Sequence, residues 1–252
     1  MKAALRLPWR ILRSLGRGVR SAAQKQQLRR RWACVGASST ASKSDEVRPS
    51  QRFGLERCSL VYINMQHRTD RREHFESQAA SLGVNRYQRF EGVRADPGGL
   101  GCSLSHWRLL QEWSRSDAEL LMVCEDDALF LASRSEIDEV IEEFVADSRL
   151  SVLALANNTP WRIPISDSLA ISSEIQTMAC YAVKPDAVPG LIDAARTSIA
   201  RFRAGERYVF AAIDQVWKSF QREVFFAVPR RSMVVQLPGE SDIEGEWRDY
   251  GV

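Results

Sequence analysis

The 252 residues are 44% hydrophobic and 27% charged, ordinary globular values that exclude a disordered or collagenous chain. No apolar run approaches the roughly 18 residues a helix needs to cross a bilayer. Five cysteines, odd in number and without a C-x-x-C pair, argue against a disulfide framework and for a reducing compartment.

The net charge of +3 conceals an asymmetry: residues 1–57 carry 14 Lys and Arg against three acids, leaving 21 bases and 29 acids for the rest. That division predicts two parts, a basic N-terminal extension and linker over 1–57 and a folded domain over 58–252. Before the first acid, Asp45, the apolar residues Leu5, Trp9, Ile11, Leu12, Leu15 and Val19 can share one face of a helix, with Arg6, Arg10, Arg13, Arg17 and Arg20 around them. A basic amphipathic helix of this kind lies on an anionic membrane surface, so peripheral contact through residues 1–31 is expected of a cytoplasmic protein. The same Arg- and Ser-rich, acid-poor composition also describes an organellar transit segment, and a tail without a defined role stays open beside both.

From Cys58 a strand–helix alternation begins. Ser59–Ile63 reads as a buried strand closed by Asn64. Asp70, three residues before Glu73, reads as a helix N-cap with a capping-box partner, and Gly83 as the stop. After a turn at 95–99, Leu104, Trp107 and Leu110 give a second helix its apolar face. Leu120–Cys124 is a buried strand ending in Glu125-Asp126-Asp127, and Ser133 with Glu136 caps a third helix to about Val145. Further strands are expected at 151–156, 177–183 and 224–228, with a helix after Pro185. The pattern predicts an α/β fold with a mostly parallel sheet covered by helices on both faces. Ligands of such sheets gather beyond the carboxyl ends of the strands. That rule singles out 64–72 and 125–127.

Three adjacent acids after an apolar strand repel one another and resist burial, and a hard divalent cation, manganese or magnesium, would relieve both problems. Otherwise they cap a helix or face water. Arg68, Arg71 and Arg72 flank a helix start, a suitable grip for a nucleoside diphosphate; the bland reading is a solvated basic face paired with Glu73 and Glu76. His106 lies four residues after Cys102 on one helix face, but no second pair completes a Cys–His metal site. A core histidine, or one packed near a nucleotide, is therefore expected. Trp161, in the irregular loop 157–161, is a candidate for stacking on a sugar ring. The basic tail lacks interleaved aromatics and the body is acidic, so no nucleic-acid partner is expected.

The order of Val61-Tyr-Ile-Asn64, Arg68-Thr-Asp-Arg-Arg72, Gly101-Cys-Ser-Leu-Ser-His106 and Cys124-Glu-Asp-Asp127 resembles glycosyltransferase family 25. That family includes bacterial lipooligosaccharide and procollagen galactosyltransferases. The likeness continues through Thr177–Val183, Ile213-Asp214 and Val235-Gln236…Ser241-Asp-Ile243, covering about 58–243. It implies a GT-A-like, Rossmann-related fold, a UDP-sugar donor (usually UDP-galactose), a divalent metal, and a glycan or glycoconjugate acceptor. Asp126 and Asp127 match the metal- and diphosphate-binding carboxylates, with Glu125 beside them. Asn64, Arg68 and Arg72 match the nucleotide-side motif, and His106 the histidine of the S-H pair. The implied inverting attack needs a general base, with Asp214 as first candidate and Asp242 and Glu240 as the others. A catalytically inactive binding module and another nucleotide-using transferase are the competing expectations.

Overall fold

Apolar runs of five or six residues, too short for helices and rich in Val, Ile and Leu, become the centre of a sheet. The computed structural model describes residues 9–36, 53–241 and 246–248. In chain order the elements are α1 (Trp9–Val35), β1 (Ser59–Asn64), α2 (Thr69–Ser81), β2 (Gln88–Glu91), α3 (Gly98–Trp113), β3 (Leu121–Glu125), β4 (Ala128–Phe130) and α4 (Arg134–Ala146). They continue as β5 (Leu150–Ala154), β6 (Ile163–Pro164), β7 (Leu169–Ser172), β8 (Cys180–Val183), α5 (Val188–Arg203), α6 (Tyr208–Ala211) and α7 (Ile213–Val216). The last are β9 (Phe225–Pro229), β10 (Val234–Gln236), β11 (Gly239–Ser241) and β12 (Glu246–Arg248).

Eight strands form one sheet in the order β2-β1-β3-β8-β5-β9-β7-β6. β2, β1 and β3 run parallel, as do β5 and β9, whereas β8 opposes β3 and β5, and β7 opposes β9 and β6. Six strands thus point one way and two the other. The α/β class and mostly parallel sheet expected from the alternation are present. One strand needs correction: the run from Thr177 starts pairing only at Cys180, and it runs against its neighbours. Thr177 has φ +67, a left-handed conformation that breaks extended pairing at that residue.

Side chains alternate across the sheet with period two. Leu60, Tyr62, Met122, Cys124, Cys180 and Ala182 face the core shared with α1, α2 and α4. Val61, Leu121, Val123, Tyr181 and Val183 face the core under α3, α5 and α7. Helices therefore cover both faces. Ser133 caps α4 with the complete capping box that its spacing with Glu136 predicts. α2 departs from expectation. It starts at Thr69 with Arg68 as N-cap and no side-chain cap. Asp70 lies inside the first turn, where Arg68 takes its carboxylate through two hydrogen bonds of 3.0 and 2.8 Å. α3 also presents a different stripe: Ser103, His106, Leu110 and Trp113 are buried, while Leu104 and Trp107 are half-buried.

α1 belongs to the segment read from sequence as an extension, yet its C-terminal half packs on the domain. Leu28 is 2% exposed within the first core. Trp32 meets Phe225 edge-on at 5.0 Å and lies under the Arg149 guanidinium. Gln24 donates to Glu174 at 2.7 Å, and Arg31 donates to the carbonyls of Arg222 and Glu223. Residues 1–8 of the expected membrane contact, and 37–52 of the expected linker, lie outside the described residues. Among the described residues no helix is long and apolar enough to cross a membrane. Truncating Leu28 to Ala should cost about 2–4 kcal/mol of unfolding free energy, as for other buried leucines. Urea denaturation of that variant against the parent chain measures it, and an unchanged midpoint would show that this half of α1 does not contribute to the core.

Candidate active site

β1 and β3 are adjacent and parallel, with Ile63 opposite Glu125, so Asn64 and the acidic triplet emerge at the same end of the sheet. The reversed strand β8 begins there too, with Cys180 opposite Cys124. The antiparallel pairing of β10 with β4 sets Gln236 opposite Ala128, and the Leu237 amide donates to the Asp127 carbonyl at 2.8 Å. α3 and α7 close the far side. Together these elements enclose a cavity of about 150 Å³ lined by Cys102, Glu125, Thr177, Tyr208, Asp214 and Gln236, among others.

The three acids diverge. Asp126 accepts from Asn64 Nδ2 at 2.7 Å and from Arg71 Nη1 at 3.1 Å. Asp127 accepts from the same Arg71 nitrogen at 3.0 Å through Oδ2, while its other oxygen, Oδ1, is buried without a hydrogen-bond partner. Both side chains are nearly inaccessible, at 6% and 5% exposure. Burial is the main force raising the Asp126 carboxyl, with Arg71 and the Asn64 hydrogen bond opposing it. Burial and then the Glu125 charge push Asp127 up to about 7, with Arg71 again opposing. Asn64 is itself fixed on both ends: Nδ2 also donates to the Arg68 carbonyl at 3.0 Å, and Oδ1 accepts from Arg89 Nε at 2.9 Å.

Glu125 faces the cavity instead. Its Oε1 lies 3.4 Å from His106 Nε2 and 3.7 Å from Cys102 Sγ, and Oε2 accepts from Gln236 Nε2 at 3.5 Å. His106 is fully buried, and its Nδ1 is 3.1 Å from the Tyr181 hydroxyl. Asp214 enters the cavity from α7, where its Oδ2 accepts from the Thr177 amide at 3.3 Å. The left-handed turn at Thr177 aims that amide, and its hydroxyl donates to Gln236 at 3.0 Å. Burial raises the Asp214 carboxyl above the usual range, with the Thr177 amide and Lys218 opposing.

The structure therefore brings Asn64, Glu125, Asp126, Asp127, His106 and Asp214 to one end of the sheet. Arg68 pairs with Asp70, and Arg72, more than half exposed, pairs with Glu76 on the surface of α2. The guanidinium that meets the acids is Arg71. The sequence 68–72 carries no signal that selects it from its neighbours, because one residue of helix turns a side chain by about 100°. Asp242 lies outside the described residues, as does the side chain of Glu240, whose backbone pairs with Trp247. Trp161 is corrected: at 8% exposure it packs in the core rather than lining the cavity, and Asn158 and Gln176 stand there instead. His106 lies in the core, as expected, and beside it and Cys102 stands Glu125, with one side-chain atom of each of the three within 4.8 Å of the others.

No family model matches the chain, and no curated protein does. Among solved structures it is similar to a glycosyltransferase involved in the glycosylation of the major capsid of PBCV-1, with a TM-score of 0.48 and 12% identity over 74% of this chain and 96% of that one.

Arg71→Met leaves two buried carboxylates without their shared counter-charge and should destabilise the fold by about 3–5 kcal/mol. Arg72→Met removes an exposed pair and should cost less than about 1 kcal/mol. Denaturant midpoints of the two variants check this contrast. Equal losses would mean that Arg71 does not carry the compensation assigned to it.

Proposed function

We propose that the chain is an inverting glycosyltransferase that moves a sugar, galactose in the first instance, from a UDP-sugar to a hydroxyl of a glycan or glycoconjugate. The observation that carries this reading is the opposition of two carboxylates, Glu125 and Asp214, in one cavity beside the Arg71-bound pair Asp126 and Asp127. The motif order that resembles family 25 is what favours UDP-galactose as the donor.

The residues fit a hard divalent cation at one atom. Asp126 has both oxygens engaged, so Asp127 Oδ1, buried and unpartnered, is the oxygen of the pair left to hold such an ion, with diphosphate oxygens and water completing it. Bound there, manganese or magnesium would act as a Lewis acid that offsets charge on the departing diphosphate. Asp126 serves as a positioning residue through Asn64 and Arg71. Arg71 and Arg68 hold positive charge at the helix start, where backbone N–H groups already favour an anion.

Asp214 is the proposed general base. It takes the proton of the acceptor hydroxyl as that oxygen bonds to the anomeric carbon, and the bond from that carbon to the diphosphate oxygen breaks on the opposite face. The electron pair leaves with UDP, and the configuration inverts. A carboxyl raised by burial is a stronger base than an ordinary aspartate, which suits that step. Asn158, Gln176 and Gln236 offer neutral hydrogen-bonding groups around the cavity, the usual means of orienting sugar hydroxyls.

With UDP-galactose, manganese and a glycan acceptor, the chain should release UDP. Asp214→Asn should lower kcat by roughly 10²–10⁴-fold while UDP binding, measured by calorimetry, stays within about twofold. A panel of nucleotide sugars reads the donor directly. Nucleotide release from none of them with either manganese or magnesium would overturn the proposal.

A further inference from the structure

The side chains of Cys102, His106 and Glu125 converge on one point at the cavity wall, and we infer that they form a binding site for zinc or a similar borderline-soft divalent ion. The inference goes beyond the transfer reaction proposed above and stands without it.

Geometry is the first argument. One ligand atom from each residue, a sulfur, a nitrogen and an oxygen, lies within 4.8 Å of the others. Tetrahedral zinc with bonds of about 2.3 Å to sulfur and about 2.0 Å to nitrogen and oxygen spaces its ligands roughly 3.3–3.6 Å apart. Here Nε2 to Oε1 is 3.4 Å and Sγ to Oε1 is 3.7 Å. Two of the three separations stand close to that spacing and the third, Sγ to Nε2, is within 4.8 Å, so a small inward movement on binding completes the set.

Scaffolding is the second. Cys102 and His106 sit four residues apart on α3, one above the other, and Glu125 ends the buried strand beneath them. The far nitrogen of His106 has its own partner, the buried Tyr181 hydroxyl at 3.1 Å. If Nδ1 carries the proton and donates to that hydroxyl oxygen, the Nε2 lone pair points at the shared locus. Metal-ligating histidines are held this way.

Charge is the third. On binding, the Cys102 thiol loses its proton to solvent, and thiolate plus carboxylate balance the two positive charges of the ion. The donor set combines a thiolate, an imidazole and a single carboxylate, which favours zinc over magnesium or manganese. Three protein ligands leave a fourth position, and because Cys102 and Glu125 both line the cavity, it opens there to water or an anionic oxygen ligand.

The test uses the full chain, stripped with a chelator and titrated with cobalt(II). One equivalent should bind with tetrahedral visible bands and a thiolate-to-cobalt charge-transfer band, both displaced by zinc. Cys34→Ser, which removes the exposed cysteine, and Asp127→Asn, which removes the hard-cation oxygen, should keep the spectrum. Cys102→Ser should abolish the charge-transfer band. Tyr181→Phe, which deletes one hydroxyl from a packed ring, should weaken zinc by about 10–100-fold in competition with a chromophoric chelator. Absence of a charge-transfer band in the folded parent chain, its survival in Cys102→Ser, or unchanged affinity in Tyr181→Phe would each overturn the assignment. None of these readings depends on UDP release, so failure here is distinguishable from failure of the transferase proposal.

Discussion

A single guanidinium holds together the end of the sheet on which everything else is arranged. Arg71 donates one nitrogen to both Asp126 and Asp127, two carboxylates that are almost wholly withdrawn from water. Without it, two like charges would sit side by side after an apolar strand, a state that burial and repulsion both oppose. The pairing also fixes distances between elements. Arg71 comes from the first turns of α2 and the acids from the end of β3, while Asn64 ties β1 to the same cluster. Arg89, on the neighbouring strand β2, completes the network by donating to Asn64. Three parallel strands and a helix thus meet in one polar knot, and the compensation is incomplete by one oxygen of Asp127. Buried polar groups left in that condition are uncommon in native interiors and point to a missing partner.

Strand parity distributes the roles within the triplet. Leu121 and Val123 face α3, α5 and α7, so by period two Glu125 faces the same way and meets Cys102 and His106. Met122 and Cys124 face α2 and α4, and Asp126 continues on that side toward Asn64 and Arg71. Tyr181 obeys the same rule on β8, which puts its hydroxyl on the α3 face of the sheet, within reach of His106. Parity separates Glu125 from Asp126, and the two-residue turn between β3 and β4 then brings Asp127 back to the same Arg71 nitrogen as Asp126. A slip of one residue in the β1–β3 register would exchange the environments of Glu125 and Asp126.

This parity marks the limit of what was legible in the sequence. The runs 59–63, 120–124 and 224–228 announced strands because their apolar content is continuous, and Ser133 with Glu136 announced a cap because both partners are local. The gathering of Asn64 and the acids at one sheet end followed from the rule for parallel strands. What was hidden depends on contacts distant in the chain. Asp70 resembles an N-cap until Arg68 competes for its carboxylate. Thr177 belongs to an apolar stretch, yet its left-handed turn serves Asp214 and Gln236, residues 37 and 59 positions away. Nothing in 68–72 distinguishes Arg71 from its neighbours except the direction in which α2 happens to present it.

α1 extends the same lesson to the charge asymmetry. A stretch with so many arginines reads as solvated or surface-bound, because composition counts charges without locating them. In the fold, part of that charge turns inward on the protein itself: Arg31 caps the carbonyls of Arg222 and Glu223, and its guanidinium lies over Phe225 at 4.9 Å. Arg149 in turn covers Trp32 at 3.7 Å, so a cation from the domain and an aromatic from the helix lock the two together. The helix's apolar residues Leu28 and Trp32 lie four apart, one turn of the stripe, and both are spent on the domain rather than left for lipid. Gln24 engages Glu174 on the same docked side, whereas Arg29, Arg30 and Val35 on the other side of this half of α1 stay exposed. The basic segment is in this way divided by its own docking, with the portion beyond residue 24 fixed to the face of the sheet opposite α3.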